Sequence, residues 1–213
     1  MRAHSKSRHR MAARDTAPNK RGLMLALRRF RRNRDGVAAV EFALIVPLLL
    51  LLYLGTMEIS SGVSLNKRVA RVAATTADLV TQQTEIDRKT LEGIMQIGAS
   101  ILFPYYADTP RITIAGIDVD DDHPDGGQVV WARRMNKDGS FEPGLTADDY
   151  TFVPDRLRID ETFVVMVRVD LVYRPLITWV TERDADGNAI GINMTETYWF
   201  HPRLVEDIPC VNC

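Results

Sequence analysis

The chain has 213 residues, of which 46% are hydrophobic and 26% charged, and its formal net charge is −1. This length accommodates one domain and an anchor, and the composition is that of an ordinary folded protein. The two cysteines, Cys210 and Cys213, lie at the extreme C-terminus. Their number and position exclude a small domain held together by a disulfide framework.

The small net charge conceals two segments of opposite sign. Residues 1–34 contain 12 Lys and Arg and one acid, Asp15, whereas the remainder contains 15 basic and 27 acidic residues. A basic arm of this kind either binds nucleic acid or marks the cytoplasmic side of a membrane. Because an apolar segment follows directly and no nucleic-acid-binding module accompanies the arm, we predict a position beside a membrane and no nucleic-acid partner.

The first 35 residues are interpreted as a largely disordered cytoplasmic leader. Residues 1–20 are polar and lack hydrophobic periodicity, which is typical of a disordered segment. Residues 22–30 predict a short basic amphipathic helix at the inner membrane surface. Met11 and Met24 leave the true start of translation open.

Residues 37–57 predict one membrane-spanning helix. From Phe42 to Leu54, thirteen residues carry no polar atom beyond the Tyr53 hydroxyl. The full segment of 21 residues, at about 1.5 Å rise each, spans about 30 Å, which is the thickness of the hydrocarbon core. In lipid the backbone must satisfy its own hydrogen bonds, so this segment has to be helical.

Charge and one proline predict the orientation and shape of this helix. Pro47 predicts a kink near Ala43, because proline removes a backbone donor and clashes with the carbonyl four residues earlier. A cleaved secretory signal is the alternative, although its apolar region is usually only about 7–15 residues long. Arginines before the span keep the N-terminus in the cytoplasm and place everything after about Glu58 on the far side. They are Arg28, Arg29, Arg31, Arg32 and Arg34.

The helical pattern continues beyond the span. Apolar and small residues recur at steps of three and four, which predicts that residues 36–80 form one spanning and continuing helix. Thr84 and Asp87 resemble a capping box, and a second helix is predicted over residues 81–103, ended by Pro104. The predicted buried stripe of the first helix is Leu65, Val69, Val72, Ala73, Thr76 and Val80, and that of the second is Leu91, Ile94, Met95 and Leu102.

Residues 104–213 predict a β-rich extracytoplasmic head. Strand-like segments lie at 111–115, 129–132, 162–173 and 192–200, and turn-forming residues lie at 125–127, 137–139 and 184–188. Four or five such strands favour an antiparallel sheet that packs on the two helices. The predicted fold class is therefore α+β: a long N-terminal transmembrane helix extending outward, a second helix and an antiparallel sheet.

Glu41 is the one acid inside the predicted span. A carboxylate there costs several kcal/mol unless it is paired or neutral, although a position near the inner headgroups also lets it stay hydrated. Its neighbours form a recognisable pattern: a charged leader, Gly36, four mostly apolar residues, Glu41 and Phe42. This pattern resembles the type IV prepilin processing motif.

A narrower resemblance covers residues 31–57. The Arg-rich lead-in, Gly36, residues 39–43, Pro47 and the leucine block resemble the TadE/TadG family, the pseudopilin-like proteins of the Flp (tight adherence) pilus system. The likeness extends less sharply to about Ala77. It implies a pilin-like fold and a structural role.

The resemblance implies a processing site and an assembly contact. A prepilin peptidase would cut after Gly36, where the absence of a side chain lets a protease approach the backbone, and Val37 would become the N-terminus. Glu41, with Phe42 beside it, would then pair with the Val37 amine of a neighbouring subunit and set the axial register. Members of this family differ in whether they are cut, so a permanently anchored form is the second prediction.

The predicted function is a membrane-anchored minor pseudopilin-like component of Flp (Tad) pilus assembly or adherence. The expected location is the bacterial inner membrane, with the N-terminus cytoplasmic and the head periplasmic, and incorporation into the pilus would follow processing. The expected partners are other pilin or pseudopilin subunits, the Tad assembly platform and a prepilin peptidase. The alternative is an uncleaved, signal-anchored periplasmic binding module in which Glu41 has no pilus role.

The sequence predicts no enzyme and no cofactor. It contains no Gly-x-Ser-x-Gly, His-Glu-x-x-His or phosphate-loop motif, and its histidines outside the leader, His123 and His201, stand apart from such patterns. Residues 118–122 and 184–188 have the EF-hand spacing at positions one, three and five but lack the later glycine and glutamate. We interpret both as solvated turns and predict no metal.

The sequence also predicts the state of the two cysteines and the surroundings of the three tryptophans. Cys210 and Cys213 predict a small structural disulfide in an oxidising periplasm, with two free thiols as the alternative. The three tryptophans are predicted to be core or sheet-face residues: Trp131, Trp179 and Trp199.

Overall fold

The computed structural model describes residues 36–103, 109–175 and 191–213. The described residues belong to two units, one that ends at Tyr53 and one that covers Leu54–Cys213.

Several sequence predictions fall outside the described residues and stay predictions. They concern the leader with its amphipathic helix, Pro104, the turn at 184–188 and Trp179.

The described part of the first unit is the start of a single long helix, α1, which runs over Val37–Thr81 and passes through Pro47 without interruption. Among the described residues, α1 is the one helix that is long and apolar enough to cross a membrane. From residue 37 to 53 the side chains are exposed, except for the half-buried Val46. Such a continuous apolar surface is unfavourable in water and suits lipid.

In the second unit, the later part of α1 packs one stripe into the core. All six residues of the predicted stripe are buried, while Lys67 and Arg71 are exposed, so this prediction is confirmed. The second helix, α2, covers Arg88–Ser100. The four residues predicted for its buried stripe are buried as well, although Leu102 lies beyond the end of the helix. Gly98 of α2 lies directly against Thr76 of α1, and the missing side chain allows this close approach.

The predicted capping box of α2 is wrong by three residues. Asp87, not Thr84, is the N-cap, and its carboxylate accepts a 2.7 Å hydrogen bond from the backbone N–H of Thr90. Hydrogen bonding to the side chain and the backbone N–H of Thr90 lowers the pKa of Asp87 from its ordinary value. The helix starts later because the residues before it form a short strand, β1 (Ile86–Asp87), which pairs in parallel with β7 (Cys210–Val211).

The rest of the second unit is a five-stranded antiparallel sheet with the order β4-β3-β2-β5-β6. Its strands are β2 (Arg111–Val119), β3 (Gly127–Met135), β4 (Phe141–Pro143), β5 (Phe163–Tyr173) and β6 (Ile192–Phe200). A 3₁₀ turn, Asp155–Leu157, lies between β4 and β5. The predicted α+β, pilin-like fold class is confirmed: a long apolar N-terminal helix, a second helix and an antiparallel sheet.

The sheet has two differently covered faces. Because side chains alternate along a strand, residues such as Ile112, Ile114 and Val167 join the main core with α1 and α2. Their neighbours in sequence face the opposite side, where a smaller apolar cluster forms around Ile117 and Val153 under the β4–β5 connection. We call this second side the outer face.

Two of the predicted turns use glycine in a conformation that other residues rarely adopt. Gly126, before β3, has φ of 82°, and Gly139, between β3 and β4, has φ of 81°. The absence of a Cβ makes this left-handed region accessible, and both turns lie where the glycines predict them.

Candidate functional site

The start of α1 presents an open peptide bond at the predicted processing site. The Gly36 carbonyl accepts the first helical hydrogen bond, from the Val40 N–H at 3.1 Å. A Cβ added at Gly36 would meet no atom within 4 Å, and Val37 is 49% exposed. The bond between these two residues therefore lies at a helix end, where fraying costs little.

Glu41 lies on the surface of α1, one turn beyond Val37. Residues four apart share a helix face, so Val37, Glu41 and Ile45 form part of one stripe. The Glu41 side chain is exposed and makes no hydrogen bond or ion pair with any residue that the structure describes. Phe42 beside it is 69% exposed. Within the described residues, both members of the motif are thus available to another molecule.

This stretch of α1 is also where the chain matches known proteins. Residues 36–78 match the model of the TadE-like protein family. The match begins at Gly36 and ends near Ala77, where the sequence resemblance also fades, so the predicted family likeness is confirmed for this segment. We call residues 36–78 the TadE-like segment. No curated protein and no solved structure matches the chain.

The outer part of the TadE-like segment is held on the sheet by polar contacts. The Tyr173 hydroxyl of β5 donates to the Glu58 carboxylate, and the Asn66 side-chain amide donates to Glu196 of β6 at 3.0 Å. Near the end of α1, Arg203 forms an ion pair with Asp78. These contacts fix the rotation of this half of the helix on the head, and sequence periodicity alone does not reveal them.

The C-terminal residues close over the start of α2. The Ile86 N–H donates to the Pro209 carbonyl at 3.0 Å, and the Arg88 guanidinium donates to the Asn212 carbonyl at 2.9 Å. The Trp131 indole N–H donates to the Ile208 carbonyl at 2.8 Å. Ile208 itself is fully buried. The tail is therefore part of the fold and not a loose end.

Cys210 and Cys213 lie in this tail, with their Cα atoms 5.8 Å apart and their sulfur atoms joined. Asn212, between them, has φ of 72°, which asparagine tolerates better than most residues. The disulfide remains a proposal for the protein in its native compartment.

The aspartates of the run 118–122 do not converge on one point. Asp118 lines a cavity of about 600 Å³ together with Asp207 and Trp131. Asp120 instead accepts from the Asp122 N–H at 3.1 Å and from the Tyr150 hydroxyl at 3.2 Å. In the part of the chain that the structure describes, no three His, Cys, Asp or Glu side chains are grouped to hold a metal ion.

The cavity changes the acidity of Asp118. Burial, and secondarily the charge of Asp207, raises the pKa of Asp118 from its ordinary value of 3.8. In the folded protein the protonated form of Asp118 is favoured over the charged form. This preference stabilises the fold at pH values below 3.8, and the stabilisation is lost as the pH rises through the raised pKa of Asp118.

Replacing Asp118 with asparagine is therefore expected to raise the free energy of unfolding at pH 7, by less than about 0.5 kcal/mol because the side chain is partly solvated. At pH 3 the gain should vanish. Urea unfolding of the full chain in detergent, followed by tryptophan fluorescence, measures both values. Asp160→Asn, at an exposed position, is the control, and an equal gain there would contradict the explanation.

The histidines and the described tryptophans that the sequence analysis considered make contacts that belong to the fold. The His123 ring stacks on Tyr150 with ring centroids 3.5 Å apart. His201 Nδ1 lies 3.2 Å from the Phe163 carbonyl oxygen. Trp131 is buried in the core and Trp199 lies on the outer face of the sheet, so the predictions for these two tryptophans are confirmed.

Proposed function

We propose that this protein is a membrane-anchored, pseudopilin-like subunit of a Flp (Tad) pilus system that acts in pilus assembly or adherence and not as an enzyme. The observation that carries the proposal is the match of residues 36–78 to the TadE-like family. The exposed Gly36 peptide bond and the exposed Glu41 support it.

The proposed topology follows from charge and hydropathy. The leader, residues 1–35, stays in the cytoplasm because its arginines resist translocation. Residues 37–57 cross the inner membrane. The segment predicted as the second helix, residues 81–103, which contains α2 (Arg88–Ser100), and the β-rich head, residues 104–213, lie in the periplasm. An oxidising periplasm also suits a disulfide between the two C-terminal cysteines.

The proposed assembly step begins with cleavage after Gly36 by a prepilin peptidase. Cleavage removes the basic leader and leaves a cationic amine on Val37 at the helix N-terminus. That charge is unfavourable beside the positive end of the helix dipole, and Glu41 of a neighbouring subunit can neutralise it. Pairing offsets the cost of both charges in lipid and favours one axial register over others.

The size of the head favours a minor, tip or initiating subunit over the repeating body of the filament. The expected partners are other pilin or pseudopilin subunits and the Tad assembly platform. No cofactor, metal or nucleic acid has a part in this proposal.

N-terminal mass spectrometry of the protein from cells with and without prepilin peptidase tests the proposal. In cells with the peptidase we expect a chain that begins at Val37, and in cells without it a chain that retains the leader. Gly36→Val is expected to block cleavage, because a branched side chain obstructs the approach of a protease to the backbone. Gly55→Val is the matched control, since Gly55 lies in the same helix with open space around it.

A leader that is retained in both strains, together with unchanged piliation in Glu41→Ala, would favour the uncleaved, signal-anchored binding module. Cleavage at another position would instead support removal of an ordinary signal peptide.

A further inference from the structure

The outer face of the sheet carries a cleft of about 510 Å³. It crosses four strands and is bordered by the β4–β5 connection, so it forms only when β2, β3, β5 and β6 are in register. We call it the outer cleft. Its lining includes Arg111, Arg134, Arg168, Asp170, Phe152 and Trp199.

The charge of the outer cleft is opposite to that of its surroundings. Three arginines and one aspartate line it, whereas the chain after residue 34 contains 15 basic and 27 acidic residues. A local positive site within an acidic domain is complementary to an anionic ligand and is not explained by the average composition.

The three arginines differ in how much of their hydrogen-bonding capacity the fold uses. Arg134 forms an ion pair with Glu142 at 3.5 Å, and Arg168 forms an ion pair with Asp170 at 3.2 Å. Arg111 lies opposite Asp170 in the β2–β5 pair, and its exposed side chain has no hydrogen bond or ion pair with any described residue. An arginine can form a bidentate pair with a carboxylate, and Arg111 has that capacity free.

The remaining groups in the cleft suit a ligand that has hydroxyls and a flat apolar face. Trp199 and the 62% exposed Phe152 offer aromatic surface. Thr151 and Thr197 offer hydroxyl groups. Asp170, whose side chain is 24% exposed, offers Oδ2 as an acceptor, since its Oδ1 already accepts from Arg168 and Thr195. A polyphosphate has no donor for Asp170, and a polyglutamate has backbone N–H donors but no flat apolar face for the aromatic rings. A sugar ring donates hydroxyls and also stacks on aromatic rings.

We propose that the outer cleft binds an acidic saccharide of the uronic acid class. The sugar carboxylate pairs with Arg111, a ring hydroxyl donates to Asp170, and the apolar face of the ring lies against Trp199. This proposal goes beyond a role in pilus assembly and does not depend on cleavage after Gly36, because the cleft lies wholly within residues 111–199.

Isothermal titration of the full chain in detergent with oligogalacturonate tests the proposal. We expect saturable binding that weakens as salt is raised, because an ion pair at a partly exposed site is screened. Methyl-esterified oligogalacturonide, which has the same sugar ring without the charge, should bind at least about tenfold more weakly, as expected for loss of one charge-assisted pair.

Arg111→Gln and Arg156→Gln form a matched pair of variants. Both arginines are exposed, but Arg156 lies in the 3₁₀ turn, outside the outer cleft. Arg111→Gln should weaken oligogalacturonate binding about tenfold, and Arg156→Gln should change it less than about twofold. Circular dichroism of both variants confirms that the head is folded.

Three results would overturn the proposal. The first is an absence of saturable oligogalacturonate binding, and the second is an equal effect of the two substitutions. The third is equal or tighter binding of polyglutamate of matched charge, which would assign the cleft to acidic peptides instead.

Discussion

Replacing Glu41 with alanine is expected to reduce co-purification of this protein with other pilin subunits at least about tenfold, while membrane insertion and folding of the head persist. In the proposed assembly, Glu41 supplies the counter-charge to the Val37 amine of a neighbour. Without it, that amine is left unpaired in lipid at a cost of several kcal/mol, and about 1.4 kcal/mol already corresponds to tenfold. Quantitative mass spectrometry of detergent-solubilised complexes measures the loss.

Glu85→Ala is the matched control for this experiment. Glu85 is exposed in the connection between the two helices. Its substitution removes the same chemical group outside the TadE-like segment and should therefore leave co-purification unchanged.

Loss of the peptidase, combined with the Glu41 substitution, identifies the partner of Glu41. In cells without prepilin peptidase every subunit is expected to keep its leader, so no neighbour then carries a free N-terminal amine. Glu41→Ala in those cells should therefore lower co-purification no further, since interacting groups show non-additive effects. A second, additive loss would mean that Glu41 contacts something other than the processed N-terminus.

The helices and the longer strands of the head follow from local patterns in the sequence. The stripe from Leu65 to Val80 is buried where its period predicts, and the last sheet strand occupies Ile192–Phe200 as its alternation indicates. Both signals depend on residues close in sequence, which pack on the same neighbour whatever the rest of the chain does.

The features that sequence reasoning missed all depend on residues distant in sequence. The later start of α2 results from pairing of Ile86 with Cys210, because a strand at that point excludes an earlier helical turn. β4 has only three residues, Phe141–Pro143, which is too short to show alternation. No local pattern reports that either segment has a partner.

The processing site and the outer cleft differ in how far the sequence alone reveals them, and the reason is again the distance in sequence between their residues. Gly36 and Glu41 belong to a contiguous motif, so the sequence alone identifies them. The outer cleft brings Arg111, Arg168 and Trp199 together from three strands, and their proximity depends on register. Arg111, at the first position of β2, reads in the sequence as an ordinary polar strand end.

The register shift between β2 and β3, where β3 carries the extra residue Val130, provides the second large effect. Gly116 lies where the β2–β3 register shifts, and a Cβ there would lie 2.6 Å from Trp131 Nε1 and 2.5 Å from Phe163 Cζ. Neither ring moves easily, since the Trp131 indole is anchored by its hydrogen bond to the Ile208 carbonyl. Gly116→Ala is therefore expected to lower the free energy of unfolding by about 2–3 kcal/mol through overpacking, measured by urea unfolding with tryptophan fluorescence.

The same one-methyl change in α2 should have the opposite sign. A Cβ at Gly93 would meet nothing within 4 Å, and glycine inside a helix costs about 0.5–1 kcal/mol relative to alanine. Gly93→Ala should therefore raise the free energy of unfolding by that amount. Because both variants add one carbon, opposite effects separate crowding against Trp131 from the general effect of losing a glycine, and stabilisation by both would show that the sheet yields at Gly116.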